Sequence, residues 1–240
     1  MPLRRPPVQR TAVSKSRTKA QGTRFAVVDF ETTGAGPGDR GRATEIGLVI
    51  IEDGQIVDQY ESLMWTGAPI PERIQALTGI TPHMLDSAPK AADVMREACA
   101  RVGDACLIAH NAGFDRGFWL EECRLAELEH PEPAFLCTLK LSRRIHAEAP
   151  RHALSALTQF HGITLEGQAH RALADAKATA QVWLRQEARL KQMALAAGVS
   201  AEALTAPLDA ALWDRVQHAP VGAWWRLFLA DLKQRPPQTA

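Results

Sequence analysis

The 240-residue chain has a formal net charge of +1, with 46% hydrophobic and 23% charged residues. These values are those of an ordinary globular protein, and they exclude a wholly disordered, collagen-like or disulfide-framework chain. The apolar runs are all too short to cross a bilayer, so we expect no membrane contact.

The charge is distributed unevenly. Residues 1–24 contain seven of the 28 basic residues and no acidic residue, which leaves 21 basic against 27 acidic residues, a net charge of −6, in the rest. We predict a basic, disordered arm over residues 1–23; the other interpretation is nonspecific contact with phosphates. The four cysteines, at positions 99, 106, 123 and 137, form no CxxC pair. They argue against a zinc site and favour reduced thiols in a cytoplasmic protein.

Strand and helix patterns alternate along the rest of the chain. Apolar runs predict strands at 25–30, 43–51, 55–64, 105–110 and 134–137, with an Asp53-Gly54 turn joining the second to the third. Helical patterns cover residues 71–79, 89–102, 115–128, 138–147, 153–161 and 171–190. This order predicts an α/β fold in which helices cover the faces of a five-stranded mixed sheet.

The C-terminal residues 191–240 are predicted to be a linker followed by an amphipathic helical tail. Residues 196–207 are rich in alanine, as linkers often are. Helical spacing then relates six apolar residues: Val221, Trp224, Trp225, Phe228, Leu229 and Leu232. Two interpretations of this helix remain open, namely packing back onto the preceding domain and docking to a partner protein.

Acidic residues stand at the ends of predicted strands. Asp29 and Glu31 end the first strand as Asp-Phe-Glu, so strand alternation places both carboxylates on one face. A divalent cation with oxygen ligands relieves the repulsion between two such carboxylates. Asp115 follows another buried strand within HNAGFD, at the strand end where α/β sites gather. In that run, His110 and Asn111 have the alternative interpretation of structural turn residues.

A third group is His170 and Asp175, separated by a short alanine-rich stretch at the start of a predicted helix. Both side chains can face one cleft if His170 precedes the helix. Four carboxylates and one imidazole suit phosphoryl transfer with two metal ions, in which the imidazole takes a proton from the attacking water. Nucleic acid supplies the phosphodiester, so the residues predict a nuclease.

Five motifs resemble those of the DnaQ-like, or DEDDh, 3′–5′ exonucleases: DFETTG (29–34), EIG (45–47), LTGIT (77–81), HNAGFD (110–115) and HRALADA (170–176). The likeness is nearest to the proofreading epsilon subunit of bacterial DNA polymerase III and its relatives. It implies an RNase H-like exonuclease domain over residues 24–190. The implied activity is metal-dependent hydrolysis of DNA from the 3′ end, releasing 5′-mononucleotides, in proofreading or repair. The alternative is an exoribonuclease of the same family, and a remote one is a non-catalytic interaction module.

The resemblance also implies individual roles. The metal ligands are four carboxylates, which hold two Mg²⁺ or Mn²⁺ ions: Asp29, Glu31, Asp115 and Asp175. His170 is the general base. Residues near the substrate are Thr32, Leu77 and Thr78, at the 3′-terminal nucleotide, and Asn111 near the cleft. The expected partners are single-stranded or frayed 3′ ends, with DNA favoured over RNA, and a protein bound through the C-terminal tail.

Overall fold

The computed structural model describes residues 24–37, 41–128, 134–164, 167 and 169–234. The strands are β1 (Phe25–Thr32), β2 (Ala43–Glu52), β3 (Gln55–Leu63), β4 (Cys106–Ala109) and β5 (Phe135–Cys137). The helices are α1 (Glu72–Thr78), α2 (Pro82–Asp86), α3 (Ala91–Val102), α4 (Gly113–Leu125), α5 (Thr138–Ile145), α6 (Leu154–Phe160), α7 (Ala172–Ala196), α8 (Ala210–His218) and α9 (Trp224–Gln234). The predicted basic arm over residues 1–23 lies outside the described residues.

The five strands form one sheet in the order β3-β2-β1-β4-β5. β1, β2 and β3 pair antiparallel, whereas β4 pairs parallel to β1 and β5 parallel to β4. The predicted five-stranded mixed sheet is therefore confirmed. Two helices, α2 and α8, are missing from the sequence-based prediction, because five to nine residues show too little periodicity to stand out.

Both faces of the sheet are covered by helices. Along β1, Phe25 and Val27 point to one face and pack with α7 and α8, whereas Ala26 and Val28 point to the other and pack with α3 and α4. This alternation follows from the period of two in a strand, and full burial on both faces explains why β1 is apolar without a break. The sheet thus holds the carboxyl end of β1 between two rigid layers.

The start of α7 lies directly against β2 at Gly47. A methyl group at Gly47 would come within 2.3 Å of the backbone carbon of Ala172, so only glycine permits this approach. Small residues along the buried face of α7, among them Ala176 and Ala180, keep the rest of the helix close to the sheet. This contact brings the first turn of α7, which carries Asp175, towards β1.

The C-terminal helices pack onto the same core as the sheet. Trp213 of α8 lies against Trp183 of α7, with ring centroids 4.2 Å apart. In α9, Trp224 and Phe228 are buried in the same cluster. Val221 departs from the predicted stripe: it precedes α9 and is 73% exposed. Packing back onto the domain is therefore observed, and docking of a partner through the tail stays a prediction.

Gln217 of α8 closes the free edge of the sheet. Its Oε1 accepts a hydrogen bond from the Cys137 backbone N–H at 2.9 Å, and its Nε2 donates to the Phe135 carbonyl at 3.0 Å. One buried amide thus satisfies the donor and the acceptor that an edge strand exposes. The predicted boundary between residues 190 and 191 falls inside α7, and the division into domains stays a prediction. Within the described part of the chain, no helix combines the length and apolar character needed to span a membrane.

Candidate active site

The first two candidate ligands lie at the carboxyl end of β1. Asp29 and Glu31 project from one side of the strand, while the intervening Phe30 packs on the other side against Trp119, with ring centroids 6.5 Å apart. The pairing of β1 with β2 shifts register between Glu31 and Thr32. The alternation predicted from Asp-Phe-Glu is therefore present, and it directs both carboxylates into one cavity.

Asp115 approaches this strand from α4. Its side chain is 2% exposed, and its Oδ1 accepts a hydrogen bond from the backbone N–H of Phe30 at 3.2 Å. The turn between β4 and α4 contains Asn111 at a positive φ of 62°, a conformation that asparagine tolerates better than most residues. The bond between Phe30 and Asp115 joins residues 85 positions apart and fixes the carboxylate beside the Asp-Phe-Glu segment.

His170 and Asp175 come from the start of α7. The backbone N–H of His170 donates to Asp175 Oδ2 at 3.2 Å, while His170 itself has a φ of 62°. One ligand atom each from Glu31, His170 and Asp175 lies within 4.8 Å of the others. The predicted convergence of the first and third motifs on one cleft is thus present in the structure.

Burial and mutual repulsion raise the pKa values of these carboxyl groups. Burial, followed by the charges of Asp115, Asp175 and Glu31, raises the pKa of Asp29 well above its ordinary value. For the same main reason, the pKa of Glu31 rises to about 8 and that of Asp115 to about 7. Burial also raises the pKa of Asp175. A group of acids this close and this poorly solvated fits a hard divalent cation with oxygen ligands.

A buried ion pair holds the start of α7 in place. Glu45 on β2 is 1% exposed, and its Oε1 accepts a hydrogen bond from Arg171 Nε at 3.0 Å. Its Oε2 accepts the backbone N–H of Ala172 at 2.9 Å, which satisfies one of the free donors at the helix start. Arg171 follows His170 directly, so this pair also fixes the backbone beside the imidazole. The sequence resemblance points to EIG and HRALADA separately and does not reveal that they are joined.

Three of the acidic side chains and His170 line a cavity of about 560 Å³. Its lining contains Asp29, Glu31, His170 and Asp175, together with Phe30, Thr32, Gly34, Ala35, Arg73, Ile74, Leu77, Thr78 and Phe114. Three of the four residues predicted to lie near substrate are therefore at the cavity, while Asn111 is exposed and does not line it. Asp115 is buried and is not among the described lining residues; its carboxylate is bonded to the backbone N–H of Phe30.

The cavity wall also contains residues that the sequence patterns did not assign to the site, among them Arg73, Ile74 and Phe114. Arg73 precedes Leu77 by four residues, so helical spacing alone puts the two on one face of α1. The hydroxyl groups predicted to meet substrate already have intramolecular partners. Thr32 Oγ1 donates to the Gly34 carbonyl at 2.7 Å, and Thr78 Oγ1 donates to the Ile74 carbonyl at 2.9 Å.

Comparison with known proteins agrees with this arrangement. The exonuclease family model RNase_T matches residues 26–183. A bifunctional exonuclease/endonuclease protein of Mycobacterium tuberculosis is 40% identical over 169 residues, which are 67% of this chain and 26% of that protein. The 3′–5′ exonuclease DinG of Staphylococcus aureus is 35% identical over 160 residues, 67% of this chain and 18% of its own length. The chain thus spans about a quarter or less of these relatives.

Among solved structures, exonuclease X in complex with a 5′-overhanging duplex DNA is 27% identical. The match covers 75% of this chain and 99% of that one, with a TM-score of 0.55. The sheet order, the flanking helices and the acidic cavity therefore define an RNase H-like nuclease. The chain belongs to the RNase_T, or DEDDh, exonuclease family, whose members are metal-dependent. The predicted family is thereby confirmed.

Proposed function

We propose that this chain is a metal-dependent 3′–5′ exonuclease that removes nucleotides from single-stranded or frayed 3′ ends of DNA and releases 5′-mononucleotides. The observation that carries the proposal is the approach of Glu31, His170 and Asp175 to within 4.8 Å in one cavity. The direction agrees with the 3′–5′ exonuclease DinG, and DNA as substrate agrees with the exonuclease X complex.

The metal ligands in this proposal are the carboxylates of Asp29, Glu31, Asp115 and Asp175, which would hold two Mg²⁺ or Mn²⁺ ions. A pair of such ions stabilises the charge on both the entering and the leaving oxygen of an in-line displacement at phosphorus. The raised pKa values of these groups support the assignment, since the carboxylates repel one another and are poorly solvated until positive charge is added.

His170 is the proposed general base. Its imidazole lies at the cavity and is exposed to solvent, so it can accept a proton from the water that attacks the phosphodiester and pass it to bulk water. Two contacts would hold it in place for this task. Its backbone N–H is bonded to Asp175, and the next residue, Arg171, is tied to Glu45.

The rest of the cavity suits the terminal nucleotide. Ile74, Leu77 and Phe114 contribute apolar surface to its lining, against which a base can pack. Leu77 is 48% exposed, so it is available for such a contact. We further propose that the activity serves DNA repair or proofreading in the cytoplasm.

The test is digestion of matched DNA and RNA oligomers of one sequence, labelled at the 5′ end, in the presence of Mg²⁺. We expect stepwise shortening of the DNA, complete inhibition by EDTA and a mononucleotide product that carries a 5′-phosphate. His170→Ala and Glu31→Gln should each lower the rate by about 10²–10⁴-fold or more. Asp104→Asn, a change at an exposed acid remote from the cavity lining, serves as the control.

The outcomes separate the candidate functions. Faster digestion of the RNA oligomer would replace the DNA assignment by the exoribonuclease alternative, because the 2′-hydroxyl would then be read by the site. Wild-type rates in His170→Ala or Glu31→Gln would refute the proposed chemistry.

A further inference from the structure

The lining of the cavity has one unusual electrostatic feature. β1 and the start of α7 contribute three acids and one imidazole to the lining, whereas α1 contributes a guanidinium, that of Arg73. Among the described residues that line the cavity, Arg73 is the only lysine or arginine. A nucleic-acid strand carries a negative charge at every nucleotide, so this guanidinium is the fixed positive charge that the described lining offers to it.

Arg73 is free to bind a ligand. It is exposed, and it forms no hydrogen bond or ion pair with any residue in the described part of the chain. Arg171, the nearest alternative beside the site, is occupied by the buried carboxylate of Glu45. A guanidinium without a partner among the described residues gives up none of their contacts when it binds a phosphate.

Helix α1 presents Arg73 on a firm support. The next residue, Ile74, packs into a small apolar cluster with Ile70, Ile80 and Leu85, so the short helix is anchored through its inner face. Arg73 and Leu77 are four residues apart and both line the cavity. If Leu77 contacts the terminal base, Arg73 lies one helical turn from that contact, towards the N-terminus of α1.

We propose that Arg73 binds the phosphate one nucleotide upstream of the scissile bond, and so selects a polynucleotide 3′ end over a single nucleotide ester. The inference rests on the proposed function, in which the scissile phosphate lies next to the carboxylates of the cavity. The phosphate one nucleotide upstream then has no contact with the carboxylate site, and Arg73 is the residue proposed to bind it.

The experiment measures release of the first nucleotide from two short thymidine oligomers with Mg²⁺. In one oligomer, an uncharged methylphosphonate replaces the phosphate one nucleotide upstream of the first scissile bond. With the wild-type chain, we expect the neutral linkage to lower kcat/KM by about three- to ten-fold. Arg73→Ala should lower kcat/KM for the normal oligomer by a similar factor and remove the difference between the two oligomers.

Two further variants sharpen the test. Arg73→Lys keeps the charge without the planar fork, so it should recover part of the lost rate. Arg226→Ala removes an exposed arginine from α9 and should behave like the wild type. In Arg73→Ala, the slope of log KM against log salt concentration should be smaller by about 0.7, because one phosphate contact is lost.

The outcomes distinguish this inference from the function on which it rests. If the wild-type chain hydrolyses neither oligomer, the proposed exonuclease activity is refuted. If it hydrolyses both but the losses from Arg73→Ala and from the neutral linkage multiply, Arg73 does not bind that phosphate and the inference is overturned. Equal rates for Arg73→Ala and wild type would overturn it as well.

Discussion

The indole ring of Trp213 packs against that of Trp183 with centroids 4.2 Å apart, and this contact joins α8 to the helix that carries Asp175. Both rings are fully buried. The family model ends at residue 183, so this contact links its last residue to a helix beyond it. The C-terminal helices thus share one hydrophobic core with the sheet and with α7, from which the candidate site is built.

Trp213→Ala should therefore destabilise the whole domain. Removing a fully buried indole from a packed cluster costs about 3–5 kcal/mol of unfolding free energy. Urea denaturation followed by far-ultraviolet circular dichroism measures this loss. Trp65→Ala, at a tryptophan that is 43% exposed, is the matched control and should cost much less. Equal losses in the two variants would contradict the structural role of the contact.

Arg171→Ala should lower kcat more than it changes KM. The variant leaves the Glu45 carboxylate buried with the Ala172 backbone N–H, and loss of the ionic partner costs about 1–3 kcal/mol. The backbone next to His170 then keeps the bond from the Ala172 N–H to Glu45 but loses the ionic attachment through Arg171. Steady-state kinetics and a thermal melt check the two effects. Arg124→Ala breaks the exposed pair with Glu121 and should leave both unchanged.

Asp29→Asn should abolish activity and yet stabilise the protein in EDTA. The change removes one of several carboxyl groups that repel each other, and the neutral amide is cheaper to bury, so Tm should rise by about 2–4 °C. Millimolar Mg²⁺ should raise the Tm of the wild type and have a smaller effect on the variant. A lower Tm for the variant in EDTA would contradict the repulsion inferred at this site.

His146 should make a contribution to stability that is lost as the solution is made acidic. Burial, followed by repulsion from the nearby His161, lowers the pKa of His146 to about 4, against the opposing attraction by Glu148. The unfolded chain therefore binds a proton below about pH 6.5 that the folded chain takes up only near pH 4. The contribution of His146 to stability is thus fully present above pH 6.5 and is lost as the pH falls towards 4.

His146→Leu removes this titrating group. The Tm of the variant, taken relative to that of the wild type at the same pH, should rise as the pH falls from 6.5 to 4, measured by melts across that range. His83→Leu, at an exposed histidine, controls for loss of any imidazole. His110, whose pKa burial also lowers to about 4, should retain its share of the acid sensitivity in both variants. Parallel curves for His146→Leu and wild type would refute the assignment.

Much of the fold follows from short-range patterns. The apolar runs predict all five strands, and the alternation in Asp-Phe-Glu predicts that Asp29 and Glu31 share a side, because strand geometry repeats every two residues. The predictions fail where a segment is short or lacks a pattern of its own. The sequence patterns do not predict helix α8, because its nine residues are too few for a clear helical period, although one face of the helix is buried.

The local sequence therefore determined which residues form strands and which acids stand at their ends, since these properties depend on neighbours a few positions away. Only the tertiary structure decided which distant groups meet. Glu45 binds Arg171 across 126 positions, and Arg73 reaches the cavity while Asn111 does not. Such contacts depend on how whole helices and strands pack against one another; α7, for example, approaches β2 closely only because Gly47 has no side chain. Local sequence patterns do not specify this packing.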